Sequence, residues 1–329
     1  MIRLEIDDEP AYDAHIKNDA DDTLKKSEHI QPPMRHGVSA SQVFLPKLDP
    51  KANAIHTIYA FLCQQFPHIS AQEWRERFDN QLIFDAQNQV LNVNTPYQPE
   101  QHIYYYRQLS HEINVPFAHE ILFENEHLLV VDKPHFLTVS PTGQYVQQTL
   151  LTRLKQHSNN AGLTPIHRLD RETAGIILFS KVPETRHRYQ QLFAERKVQK
   201  TYHAIAPFHP DIHFPCEVKA HLAKGEPFYT MQILADQAEN SCTLIDILEK
   251  DDEWAKYQLK PITGKQHQLR VHMHSLGLPL KNDPLYPIVK HSDKADFSQP
   301  LQLLAKRIEF IDPISHEKMM FESKRDLSL

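Results

Sequence analysis

Glycine is scarce in this chain, with seven in 329 residues, where about 7% would be ordinary. The places where it survives are therefore informative. Gly175 and Gly264 fall in polar, charge-rich stretches, and Gly162 sits just ahead of the first. Such positions commonly serve a positive φ or a close approach of two backbones. Cysteine is sparse too. Cys63, Cys216 and Cys242 are odd in number and far apart, which argues against a disulfide framework and a zinc site and for a reducing cytoplasm. No apolar run approaches the ~20 residues that span a bilayer. The N-terminus, Met-Ile-Arg-Leu-Glu-Ile-Asp-Asp-Glu, is acidic and lacks the features of a secretory signal. With 40% hydrophobic and 24% charged residues, the composition is that of a soluble globular protein.

The length suits two domains and a tail. The net charge is −6, but it is unevenly spread. Residues 1–30 hold 9 acids and 4 bases, leaving the rest of the chain near neutral. Residues 151–203 hold 10 Lys/Arg against 4 Asp/Glu, and residues 256–290 hold 6 against 1. Local positive charge of this kind attracts a phosphate backbone, although two solvated faces would read the same way.

Residues 1–42 form an acidic tail with few aromatics that is expected to be disordered. Residues 43–107 read as a small domain. Ile55 to Leu62 has helical apolar spacing. Ser70 with Glu73 marks the start of a second helix. Strand-like pieces follow at Leu82–Phe84, Val90–Val93 and Ile103–Tyr106. The turn at Asp79-Asn80 has no glycine, though Asn tolerates a left-handed conformation. Residues 108–117 read as a linker. From 118 to 325, strands dominate: Ile121–Phe123, Leu128–Val131, Ile176–Phe179, Tyr202–Ala206, Cys242–Leu248 and Tyr257–Lys260. Helices are expected at Leu150–Leu154 and Arg186–Arg196. Runs of strands with helices set apart indicate an α+β fold on a mixed or antiparallel sheet.

The stretch His167-Arg-Leu-Asp-Arg-Glu-Thr-Ala-Gly-Ile-Ile-Leu-Phe-Ser-Lys181 sets Asp170 between two arginines, just ahead of an apolar run that reads as a buried strand. A carboxylate among cations stays ionised, and a polar loop feeding a buried strand can hold a reactive side chain on a rigid frame. Four further stretches accompany it in order. They are Glu124 to Lys133-Pro134, Lys200-Thr-Tyr202-His-Ala, Thr263-Gly-Lys265-Gln-His-Gln268-Leu-Arg270-Val-His272 and Asn282-Asp-Pro-Leu-Tyr286. Leu303 to Phe310, with Pro313 following, completes the set. Together these motifs resemble those of the RluA-type RNA pseudouridine synthases over about two hundred residues of this chain. The helix-helix-strand order of 43–107 resembles the S4-like RNA-binding module often found ahead of such catalytic domains. With 4 bases and 5 acids over 51–110 it lacks a strongly basic surface.

The resemblance implies an α+β fold: a mixed or antiparallel-sheet catalytic domain (118–325) preceded by a small S4-like α/β domain. It implies isomerisation of uridine to pseudouridine in structured ribosomal or transfer RNA, with the base flipped out of its stack, without cofactor or metal, by a cytoplasmic monomer with no membrane association. Asp170 takes the place of the catalytic aspartate, Tyr202 that of the tyrosine lying on the target base, and Arg270 that of its ion-pair partner. Arg270 could instead hold a phosphate, and Tyr202 could be a core residue. His167, Arg168, Thr173, Lys200, Lys133, Lys265 and Gln268 are expected to touch RNA or to support those that do. His267, His272 and His274 lack the cysteine or carboxylate company of a metal site.

Three departures bear on RNA contacts. Ala174 stands where the family often has Ser. His135-Phe136 follows Lys133-Pro134 where the family has x-Gly. Lys265 replaces an Arg and loses the planar fork. The rival readings are a non-catalytic RNA-binding or RNA-folding factor on the same fold, and a hydrolase, which would need a second acid/base near Asp170.

Overall fold

A computed structural model describes residues 32–48, 55–107, 112–290 and 295–329. The acidic segment over 1–31 and residues 108–111 of the expected linker lie outside the described residues. The chain divides into two compact units. One draws on residues up to 112 with 142–147 and 154–161, the other on 113–141, 148–153 and 162–329.

The first unit contains β1 (Ser41–Leu45), α1 (Ile58–Gln65), α2 (Ala71–Asp79), β2 (Ile83–Asp85) and β3 (Gln101–Tyr105). Its strands form an antiparallel sheet in the order β1–β3–β2. α1 starts later than the apolar spacing suggests because Thr57 caps it, its hydroxyl accepting the Ala60 N–H at 3.1 Å. The capping box at α2 is complete. The Ser70 hydroxyl accepts the Glu73 N–H at 3.2 Å, and the Glu73 carboxylate accepts the Ser70 N–H at 2.9 Å. The left-handed residue after α2 is Gln81 (φ 55), not Asn80 (φ −83). Val90–Val93 is not a strand and makes an isolated bridge from Val90 to Phe84. Ile58, Leu62, Trp74, Ile83 and Ile103 close the core of this unit.

The second unit is built on β4 (Glu120–Glu124), β5 (Leu128–Lys133), β6 (Thr164–Pro165), β7 (Ala174–Ser180), β8 (Gln199–Pro207), β9 (Cys216–Ala220), β10 (Leu222–Lys224), β11 (Met231–Ile233), β12 (Ser241–Lys250), β13 (Trp254–Pro261), β14 (Leu303–Ile311) and β15 (Lys318–Glu322). Its helices are α4 (Pro183–Ala194) and α5 (Gln268–Ser275), while α3 (Leu150–Ser158) has residues in both units. Ten strands form one mixed sheet in the order β4–β5–β7–β14–β8–β13–β12–β9, with β6 added to β7 and β15 to β14. Every pairing is antiparallel except β7 with β14. β10 and β11 form a separate hairpin. α5 packs its Leu269 and Met273 with Ala204, Tyr257 and Leu259. Tyr189 of α4 packs with Leu128, Ile176, Leu178 and Phe310.

β7 is buried along its whole length, which explains its unbroken apolar run and lack of alternation. Gly175 sits where β7 meets β14, opposite Ala305. Its φ is +110, and a Cβ there would lie 2.3 Å from the Ala305 carbonyl oxygen. Gly264 differs: a Cβ there would meet only the Lys200 ammonium at 3.7 Å. Gly175→Ala combines overpacking against backbone with a disfavoured φ, and should cost about 2–5 kcal/mol. Gly264→Ala should be tolerated far better. Urea denaturation of the two variants checks the contrast, and equal losses would refute it.

Candidate active site

Asp170 lies in the turn that delivers the chain into β7. The Thr173 N–H closes that turn on the Asp170 carbonyl at 3.1 Å. Lys133, at the end of β5, is fully buried beneath it. Its ammonium donates to the carbonyls of Pro134 (3.0 Å), Leu137 (2.8 Å) and Arg171 (3.1 Å). One side chain thus ties the 134–137 loop to the Asp170 turn. In that loop Phe136 takes the left-handed region (φ 64), at the position where the family pattern has glycine. Its ring is held against Phe117 and Phe297, with the Arg171 guanidinium 5.6 Å above it. Arg171 also pairs with Glu172. It therefore turns away from the neighbouring aspartate, and Arg168 is exposed. His167 stacks on Phe193 with ring centres 4.6 Å apart, and its Nε2 accepts the Leu178 N–H at 3.2 Å. Burial lowers His167 to about 4, so at neutral pH it is the uncharged acceptor this bond requires.

The facing wall is the loop 262–267 and the start of α5. Gln268 is buried and organises the loop. Its carbonyl oxygen accepts from the Thr263 hydroxyl (2.6 Å) and the Lys265 N–H (3.0 Å). Its amide donates to the Cys242 carbonyl (2.9 Å) and the Thr243 hydroxyl (3.0 Å) on β12. Two residues on, Arg270 is 2% exposed. It grips Asp283 through Nε at 2.8 Å and Nη2 at 2.6 Å, the two-pronged geometry that only a guanidinium offers. Its Nη1 lies 3.7 Å from the Asp170 carboxylate. Burial disfavours the Arg270 charge, but Asp283, and then Asp170, outweigh it and hold its pKa above the ordinary value. His267 takes a left-handed conformation (φ 50) at the head of α5. Its Nδ1 is 2.9 Å from the Tyr286 hydroxyl and its Nε2 3.8 Å from Asp170. Burial lowers it to about 4, with Asp170 opposing.

Between these walls lies a cleft of about 680 Å³. Asp170, Tyr202, Arg270, His167, Arg168, Thr173, Lys200, Lys265 and Gln268 all line it, whereas Lys133 lies beneath. Asp170 keeps 28% of its side chain exposed, so a carboxylate faces the cleft while its arginine is sealed behind it. Burial, and then the Asp170 charge, raise the Tyr202 hydroxyl pKa, so it keeps its proton. The Lys200 ammonium reaches the Thr263 carbonyl at 3.5 Å, and burial lowers its pKa. The three histidines of the α5 region do not converge. His272 sits between the Ser241 and Thr243 hydroxyls, each at 2.9 Å, and His274 stacks on Tyr286. Among the described residues no three His, Cys, Asp or Glu side chains gather as a metal site. The sequence reading did not foresee Asp283 as the main partner of Arg270, nor His267 as a neighbour of Asp170. The Asn282-Asp283-x-x-Tyr286 turn was the only signal for the first.

A mixed sheet that presents one carboxylate, backed by a buried arginine, to a cation-lined cleft suits chemistry on a polyanion. The RNA pseudouridylate synthase family model matches residues 127–275. An RNA pseudouridine synthase of Synechocystis sp. is 30% identical over 234 residues, which is 69% of this chain and 78% of that one. tRNA pseudouridine synthase C of Vibrio parahaemolyticus is 29% identical over 231 residues, 64% of this chain and 92% of that one. The solved structure of human RNA pseudouridylate synthase domain containing 1 is 25% identical, covers 63% of this chain and 84% of its own, and superposes with a TM-score of 0.51. The chain belongs to the RNA pseudouridylate synthase family, as an RluA-type member, and is an isomerase that acts on uridine in RNA.

Two outcomes follow from the buried charges. Asp283→Ala strands the Arg270 guanidinium and should cost about 3–5 kcal/mol in urea denaturation, whereas Arg270→Met/Asp283→Leu should recover part of the loss. Lys133 bears on pH. Burial lowers it to about 7, against Glu172 and Asp170, whereas an unfolded lysine titrates near about 10.4. Between those values the unfolded chain binds a proton that the folded chain lacks, so stability rises with pH by up to about 1.4 kcal/mol per unit. Below that window the cost of the buried charge is fully present. Lys133→Met should abolish this slope, and an unchanged slope across the window would refute the assignment.

Proposed function

We propose that Asp170 is the catalytic residue for converting a flipped uridine to pseudouridine in ribosomal or transfer RNA. The observation that carries this is its half-open carboxylate at the floor of the cleft, 3.7 Å from a guanidinium locked on Asp283. The C1′–N1 bond of the uridine breaks, the uracil turns, and C1′ bonds to C5. The C5 proton leaves, and N1 ends protonated. The Asp170 carboxylate serves as nucleophile, as base or as stabiliser of positive charge at the sugar, and Arg270 fixes its orientation. Tyr202 offers a ring and a protonated hydroxyl beside the base, suited to stacking and to relaying the C5 proton.

Arg168 and Lys265 are exposed on the rim. Together with Lys200 they take the phosphates, and Arg168 can fill the space a flipped base leaves. Lys133, Thr173, His167 and Gln268 hold the two walls. Residues 43–107 act as an S4-like module ahead of a catalytic domain over 118–325. The enzyme works without a cofactor, as a cytoplasmic monomer. Transfer RNA is favoured by the names of relatives such as the Vibrio parahaemolyticus enzyme.

Carbodiimide-based pseudouridine mapping of total RNA tests this in cells lacking the gene and in cells restored with wild type or Asp170→Asn. A site lost on deletion should return only with wild type. The purified Asp170→Asn protein should be at least about 10³-fold slower on that RNA. Full restoration by Asp170→Asn would overturn the role of the aspartate.

A further inference from the structure

The sheet opens where β8 and β13 separate. Their ladder stops at Tyr202 opposite Leu259, yet β8 reaches back to Gln199 and β13 runs on to Pro261. Beyond that pair β8 is held only by β14, through Thr201 with Arg307 and Gln199 with Glu309. β13 is held there only by β12, through Lys260 with Leu244 and Pro261 with Thr243. A groove of about 490 Å³ fills the opening. Successive residues of a strand face opposite sides of a sheet. Tyr202 and Leu259 belong to the cleft side, where α5 packs, whereas His203 and Gln258 line the groove. Groove and cleft therefore lie on opposite faces. They meet over the strand ends, where Arg196, Lys200, Pro261 and Ile262 line both.

The groove is cationic. Arg196, Lys200, Lys260, Lys306 and Arg307 line it, against Glu309 and Glu322. Lys306 pairs with Glu322 at 3.3 Å and Arg307 with Glu309 at 3.0 Å, and Glu309 is shared with Lys318 at 3.3 Å. Arg196 and Lys260 are exposed. Leu244 and Ile262, 41% and 46% exposed, add apolar surface that a base can cover. Positive charge tracking along a groove, with apolar side chains at its edge, is what a single polynucleotide strand requires.

We propose that this groove binds the RNA strand that flanks the target uridine, leading its phosphates from the cleft over the ends of β8 and β13 to the opposite face of the sheet. The proposal rests on the assignment of the cleft to uridine isomerisation. Its test uses in vitro transcripts of the RNA identified by mapping, one cut close to the target uridine on both sides and one with its native flanks. The variant is Lys260→Gln/Arg307→Gln, which leaves Lys318 to hold Glu309, with Lys219→Gln on β9 as the control.

Wild type should show a KM roughly tenfold lower on the flanked RNA, with a steeper salt dependence. The double variant should lose that advantage at unchanged kcat, its salt slope falling by about 1.4. It should match wild type on the short RNA, which certifies its fold. The control should behave as wild type. An advantage that survives in the double variant, or is absent from wild type, overturns the groove and leaves the cleft standing. Failure of wild type on both RNAs overturns the cleft assignment and the groove with it. If the double variant fails on both RNAs, Lys260→Gln alone decides, and the proposal stands only if KM rises on the flanked RNA alone.

Discussion

A guanidinium that is 2% exposed has to be neutralised where it lies, and much of the site follows from how Arg270 is neutralised. The idealised penalty for moving such an ion out of water is of order 20 kcal/mol, so a partner with matched geometry is needed. Asp283 supplies it, and its Oδ1 also accepts the N–H groups of Leu285 and Tyr286 at 2.8 and 3.1 Å. Those bonds fix the 282–286 turn, which sets the Tyr286 ring 5.2 Å from the guanidinium and its hydroxyl against His267. With two of its nitrogens committed to Asp283, Arg270 turns the third toward Asp170. The Asp170 carboxylate therefore meets a charge whose position was already settled by other contacts, the preorganisation that the proposed role of Asp170 requires.

The opposite wall is fixed by a different device. Lys133 gathers three carbonyls from two loops, and the chain tolerates left-handed backbone without glycine to do so. Phe136 and Asn282 both have positive φ, and Phe136 does so at the position where the family pattern has glycine. For Asn282 the steric cost is small. For Phe136 it is larger and is offset by a three-ring cluster and an overlying arginine. A glycine loop would be looser; this one is anchored by its side chain.

The residues that line the cleft were legible as motifs because each motif is a contiguous run. What joins them was not. Asp170 is flanked in sequence by two arginines, yet Arg171 bonds to Glu172 and the cation that meets Asp170 comes from position 270. Only folding brings it there. α5 also escaped the sequence reading because Gln268 to Met273 are all buried, so there was no polar face to reveal a helical period. β7 and β8 were readable from their own residues. The run Leu303 to Phe310 was also visible as a motif, but its place between them was not, since pairing across about a hundred residues leaves no local trace. In the smaller unit, the Ser70–Glu73 box marked its helix correctly because a cap is local chemistry. Val90–Val93 failed because it meets β2 only around the Phe84–Val90 bridge and does not extend that contact into a ladder.

Sheet order also has a consequence for how the enzyme is made. β7 follows Asp170 and β8 carries Tyr202, but the two do not touch; β14 lies between them. The strand that joins the two halves of the cleft is thus made after both of its neighbours. Until it inserts, the edges of β7 and β8 that it will cover are open, although Asp170, Tyr202 and Arg270 are already in the chain. A chain interrupted before Leu303 therefore carries the residues that line both walls of the cleft without the strand that seats those walls side by side.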